Sequence, residues 1–258
     1  MNKALSQTIT VYLCEDTIDG IFSAIYRAWE NGTSHTDVRV ECNASCRLFE
    51  EYVRSTTDIV LAQKVRQSII NKLSDEVYSY VYQAALSCES DKASSIYRFL
   101  QKAFRTGPNI LNYLQDCDVM RVFELSRFVG REAHKYLGFV RFEELENGIL
   151  AGCINPRSNV VPILAEHFAD RLHNENWLIL DTTRELAAVH TAGKGYILHL
   201  GITEAALKTL SLSPEENDFK QLWNRFFDTI AIKERVNPEL QRTMMPLRYR
   251  TYMGLSSH

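Results

Sequence analysis

The chain has 258 residues, 45% of them apolar and 24% charged, which is ordinary globular usage. This excludes a disordered chain, a collagen-like repeat and a disulfide mini-protein. With 29 basic and 32 acidic residues the net charge is -3, so any nucleic-acid contact has to come from a local patch.

In chain order, Ile9, Val11 and Leu13 alternate with Thr10 and Tyr12, a strand pattern. From Asp19 the period becomes helical, with Phe22, Ile25, Tyr26 and Trp29 on one face and Asn31-Gly32 as the stop. Val38 to Val40 reads as a second short strand, which makes a β-α-β opening. Residues 57 to 135 read as helix almost throughout. Leu61, Val65, Ile69, Leu73, Val77, Val81 and Ala85 form one i+4 ridge. A second helix carries Ile96, Phe99, Leu100, Ala103 and Phe104 and ends near Gly107-Pro108. A third begins near Val119.

After Tyr136 the period switches to two. Residues 139 to 145 and 149 to 154 flank Asn147-Gly148, a strong hairpin signal. A helix with Val161, Leu164, Phe168 and Leu172 on its inner face follows. Three more strands are expected at 177–180, 186–190 and 196–200. The final helix carries Phe219, Leu222, Trp223, Phe226, Phe227 and Ile230. The expected fold is α+β, a mainly antiparallel sheet flanked by helices, with a long helical segment in the first half. The expected parts are 1–135 and 136–258, joined in one integrated unit.

No stretch approaches the roughly 18 apolar residues of a spanning helix. The opening MNKALSQTITVYLCED has no apolar run ending in a small-residue cleavage site. The expectation is a cytoplasmic protein with no membrane contact. The cysteines are Cys14, Cys42, Cys46, Cys88, Cys117 and Cys153, with one C-x3-C pair beside His35. Scattered reduced thiols fit this spacing better than a zinc or iron–sulfur site, so no metal and no cofactor are expected.

The common phosphate-loop, dinucleotide, zinc-protease and serine-hydrolase motifs are absent. What remains are charged residues in unusual places. Arg127, Arg131 and Lys135 repeat at i+4, a row that either tracks a phosphate backbone or is solvated along with Glu124 and Glu132. Arg141 and Glu143 share one face of the expected strand. His167 and Arg171, next to Asp170, lie one helical turn apart, and His167 is a candidate general acid or base. Asp181 ends an apolar strand with Arg184 three residues on; they form either a capped turn or a ligand-orienting pair. Asn237-Pro238 reads as a helix start and Pro246 as a stop. Near the end Arg242, Arg248 and Arg250 interleave with Tyr249 and Tyr252, a pattern that suits either single-stranded nucleic acid or a tail docking on an acidic body.

The segments YLCEDTIDGIFSAIYRAWE, HKYLGFVRFEELENGILAGCI, HFADRL, WLILDTTR and WNRFFDTIAIKERVNPELQRTMMPLRYRTYM span nearly the whole chain. Together they resemble a bacterial family of DNA-metabolism or DNA-repair proteins built around a domain of unknown function. Its members are typically encoded beside a radical-SAM protein, and similar domains are fused to uracil-DNA-glycosylase-like domains. The family pattern covers Arg141, Phe142, Glu143, His167, Phe168, Arg171, Trp177, Asp181, Arg184, Arg235, Asn237, Pro238, Pro246 and Tyr249. Where the family has Tyr-Trp, this chain has Tyr249-Arg250.

The resemblance implies a DNA-binding repair factor acting with a radical-SAM partner. In that role Arg141, Arg171, Arg184, Arg235, Arg248 and Tyr249 would contact nucleic acid. One alternative is a metal-independent hydrolase of a nucleobase or phosphodiester, with His167, Asp181 and Glu143 as its catalytic groups. The other is a scaffold that binds only protein. The charged positions from 141 to 248 are expected to converge on one surface, because half-buried charges must neutralise one another or meet a charged ligand.

Overall fold

The computed structural model describes residues 8–32, 35–41 and 47–208, together with Tyr249 and Tyr252. The chain forms two compact units, Met1–Gly130 and Arg131–His258.

The first unit opens as the alternation predicts: β1 (Ile9–Cys14), α1 (Ile18–Glu30) and β2 (Thr36–Val40), with β1 and β2 parallel. Thr17 caps α1 by accepting the Gly20 N–H through its side chain. A strand not foreseen in the sequence, β3 (Glu50–Arg54), pairs parallel on the other edge, giving the order β2-β1-β3. Its own residues are mostly exposed, so no apolar alternation marks it.

The expected single ridge of residues 61–85 is two helices, α2 (Ile59–Lys72) and α3 (Asp75–Ala85). Ser74 breaks it: its side chain accepts the Val77 N–H as the cap of α3, and Asp75 and Glu76 follow at the positive helix end. Both halves still face one core, with Val65, Ile69, Val77 and Val81 at most 1% exposed. α4 (Lys92–Thr106) ends at Gly107, whose φ of 87° favours glycine. A 3-10 turn, Pro108–Asn112, leads to α5 (Cys117–Phe139). Ile21, Phe22, Ile96, Phe99, Leu100, Val119 and Val122 close this core.

The division between the units falls within α5. In the second unit the structure corrects the expected hairpin. α5 continues through Phe139, and β4 is only Glu143–Glu144. It pairs antiparallel with β5 (Leu150–Ile154). Leu145 and Ile149 close the hairpin through an N–H···O bond of 3.0 Å, leaving Glu146, Asn147 and Gly148 as a three-residue loop. Gly148 takes the left-handed position there, with φ 76°. Residues 140–142 leave the sheet. A Cβ at Gly152 would lie 3.1 Å from Val140 and 3.3 Å from the Arg141 carbonyl, so this segment crosses β5 closely at a residue without a side chain.

After β5 come α6 (Val161–Arg171), β6 (Trp177–Asp181), β7 (Leu186–Thr191), β8 (Gly195–Leu200) and α7 (Glu204–Lys208). The sheet order is β4-β5-β6-β7-β8. The sheet is mixed, so the expectation of a mainly antiparallel sheet holds only in part. α6 carries the chain back to the starting end of β5, so β5 and β6 run parallel, and the other pairings are antiparallel. α6 packs on β6, β7 and β8. Phe142, Phe168 and Trp177 pack edge to face in this core, and His190 stacks flat on Trp177 with centroids 4.9 Å apart. The expected final helix, with Phe219 to Ile230, lies outside the described residues.

Candidate functional site

The parallel β5-α6-β6 crossover puts two loops at the carboxyl ends of adjacent strands, the usual place for a ligand in such units. Residues 155–160 follow β5, and residues 182–185 follow β6. The register pairs Ile154 with Asp181, and the Thr182 N–H donates to the Ile154 carbonyl at 2.9 Å.

Side chains tie these loops together. Asp181 is fully buried; one carboxylate oxygen accepts the N–H groups of Thr183 and Arg184, and the other accepts Arg184 Nη1 at 2.8 Å. Arg184 Nη1 also reaches the Pro156 carbonyl at 3.2 Å, and Nη2 donates to the Arg157 carbonyl. Of the two sequence readings, the capped turn therefore describes this geometry. Burial pushes the Asp181 carboxyl above its ordinary range, while Arg184 and the two N–H donors pull it the other way.

Glu132 of α5, grouped by the sequence with a solvated row, is 3% exposed. Its carboxylate accepts the N–H groups of Arg157 at 3.0 Å and Ser158 at 2.9 Å. Tyr136, one turn on, donates its hydroxyl to Asn155 Oδ1 at 3.4 Å. On the β6 side, Thr182 shares a 3.2 Å hydroxyl contact with Tyr252, which donates to Glu204 at 3.0 Å. Burial raises the Tyr252 hydroxyl above its usual pKa. Ser158 Oγ and Asn159 Oδ1 are buried just before α6 with no hydrogen-bond partner among the described residues.

The remaining predicted residues separate. Arg171 ends α6 and His167 lies one turn before it, both exposed. α6 runs back towards the start of β6, so its last residue, Arg171, lies at the opposite end of the crossover from Asp181 and Arg184. Its 11 residues span about 16 Å. Arg141 and Glu143 are half-buried where the chain crosses β5 and enters β4. Among the described residues of the expected surface, Asp181 and Arg184 meet, while Arg171 lies at the other end of the crossover. Tyr249 is 3% exposed, its ring packed on Tyr136 and Phe139 with Lys135 Nζ 5.7 Å from its centroid. As placed, that ring packs against protein, which leaves little of it to stack on a base. Arg235, Asn237, Pro238, Pro246 and Arg248 lie outside the described residues, as do Cys42 and Cys46.

Among the described residues the one group with metal-ligand spacing is Asp116, Cys117 and Asp118 in the first unit. Lys102 already supplies a cation there, with Nζ 2.7 Å from both aspartates. Cys14 is a buried thiol that donates to the Arg39 carbonyl at 3.4 Å, and Cys88 and Cys117 are exposed thiols. No helix among the described residues is long and apolar enough to cross a membrane.

The sequence missed Glu132, Tyr136, Ser158, Thr182 and Tyr252 as members of one cluster. The run Asn155-Pro156-Arg157-Ser158-Asn159, a polar loop between an apolar strand and a helix, was the available signal. Nothing in the spacing of Glu132 marks it as buried.

No curated protein matches the chain. A family model described as a domain of unknown function matches residues 90–254, more than half of the chain. The chain therefore belongs to the DUF4130 family.

Proposed function

We propose that this protein binds nucleic acid as a factor of DNA metabolism or repair and acts with a radical-SAM partner. One observation carries the binding reading. In the second unit Arg131, Arg157 and Arg171 are exposed and form no ion pair among the described residues. Elsewhere in the chain Arg39, Arg98, Lys102, Arg121 and Arg184 each close onto a carboxylate, so pairing is available to cations in this protein and these three do not use it. In a chain of net charge -3, open guanidinium groups are a local feature suited to phosphate. The sequence resemblance supports the DNA and radical-SAM parts of the reading.

Binding is favoured over the hydrolase alternative because the Asp181 oxygens are taken up by Thr183 and Arg184. His167 stands on an exposed helix face, its ring edge-on to Phe168.

Fluorescence anisotropy with single- and double-stranded oligonucleotides over a salt series tests this. Arg157→Ala and Arg171→Ala should each weaken binding, and the log–log salt slope should fall by about one per lost phosphate contact. The same holds for Arg248→Ala in the basic C-terminal stretch. Binding that ignores salt and these substitutions would favour the protein scaffold instead. Co-purification with the radical-SAM protein tests the partner.

A further inference from the structure

The first unit holds a cleft of about 460 Å³ lined by Trp29, Ser68, Lys72, Gln101, Phe104 and Arg105. This volume is in the range that takes a small ligand. Helical spacing builds it: Ser68 and Lys72 are one turn apart at the end of α2, and Gln101, Phe104 and Arg105 share a face at the end of α4. Trp29, in the last turn of α1, meets Phe104 edge to face with centroids 5.2 Å apart. Both rings are only half-buried, so the cleft keeps an aromatic wall in contact with solvent.

Its cations are open. Lys72 and Arg105 are exposed and pair with no carboxylate among the described residues. Each lies in the last turn of its helix, where a cation offsets the negative helix end. Helix ends explain one cation apiece. They do not explain why both border one aromatic cleft that also offers the Ser68 hydroxyl.

We propose that this cleft binds a mononucleotide, with the base against Trp29 and Phe104 and the phosphate held by Lys72 and Arg105. A ring to stack on and a cation for phosphate are the two elements nucleotide recognition needs. The site is separate from the nucleic-acid reading above, because every residue in it belongs to the first unit.

Isothermal titration of the full chain with adenosine 5′-monophosphate, adenosine and inorganic phosphate decides the matter. The monophosphate should saturate one site and bind at least tenfold more tightly than either fragment. Lys72→Gln and Arg105→Gln should each weaken it by about tenfold, the loss expected for one charge-assisted hydrogen bond. Because both side chains are exposed, the variants should melt close to the parent, which separates ligand loss from unfolding. Arg157→Ala should leave monophosphate binding unchanged, whatever it does to oligonucleotides. The proposal is overturned by no saturation at millimolar monophosphate, by equal affinities for monophosphate and adenosine, or by affinities that Lys72→Gln and Arg105→Gln leave intact.

Discussion

The buried carboxylate of Glu132 holds the loop after β5 by accepting the backbone N–H groups of Arg157 and Ser158 at 3.0 and 2.9 Å. Two backbone donors, one of them buried, depend on one side chain from α5. Glu132→Ala strands both, and the cost should be about 2–3 kcal/mol. Amide hydrogen exchange at Arg157 and Ser158 should accelerate well beyond that of the β6 and β7 amides. Equal acceleration throughout the second unit would mean that Glu132 supports the whole unit rather than this loop.

Arg39 and Glu50 make acid sensitivity predictable in the first unit. Arg39 grips Glu50 through two 2.7 Å bonds and also reaches Asp37. The guanidinium holds the Glu50 carboxyl down at about 2, with help from the Tyr52 hydroxyl. The folded value lies below the unfolded one of about 4.3, so the stabilisation is present above that range. It is lost as pH falls towards about 2. Unfolding of the parent and of Glu50→Gln, followed by circular dichroism from pH 6 to pH 2, should show stabilities that converge in acid. Parallel curves would refute the linkage.

Asp181 carries the opposite sign. Burial raises its folded pKa, so the folded state binds its proton more readily than the unfolded state. This group's contribution to stability therefore declines as pH rises from the ordinary carboxylate range through the raised value, and is constant beyond it. Carboxyl-carbon NMR should find Asp181 titrating above the exposed aspartates, and Arg184→Ala should raise it further by removing the 2.8 Å ion pair. An Asp181 titrating below the exposed aspartates would show that Arg184 and the N–H donors outweigh burial.

Ser74 separates α2 from α3 by capping the second helix. Ser74→Ala should cost about 1 kcal/mol in urea unfolding, as cap losses generally do, whereas Ser74→Asp should retain most of the stability. If Ser74→Ala is as stable as the parent, the break belongs to packing alone.

These elements show what was legible in one dimension. Strand patterns marked β1, β6 and β7, and i+4 spacing marked α1, α4 and α6, because each turns apolar residues into a core. β8 was also expected and forms, although all six of its residues are exposed. Asn147-Gly148 marked the hairpin turn because a left-handed backbone position favours glycine. Local pattern was silent wherever the partner was distant. β3 has no apolar alternation, and it is a strand because β1 offers it an open edge. Residues 140–142 read as strand, yet Gly152 lets them cross β5 instead. The parallel pairing of β5 with β6 follows from where α6 sets the chain down.

The same division governs the site. The sequence by itself determined that Asp181 and Arg184 would be close, since three residues of one turn separate them. Only tertiary structure decided that Glu132 is buried, that Arg157 is left open, and that Arg171 lies at the far end of α6 from Asp181. The reason is physical. A residue type sets what a side chain can bond to, but whether a charge is satisfied by protein or left to water depends on segments that meet only when the chain folds.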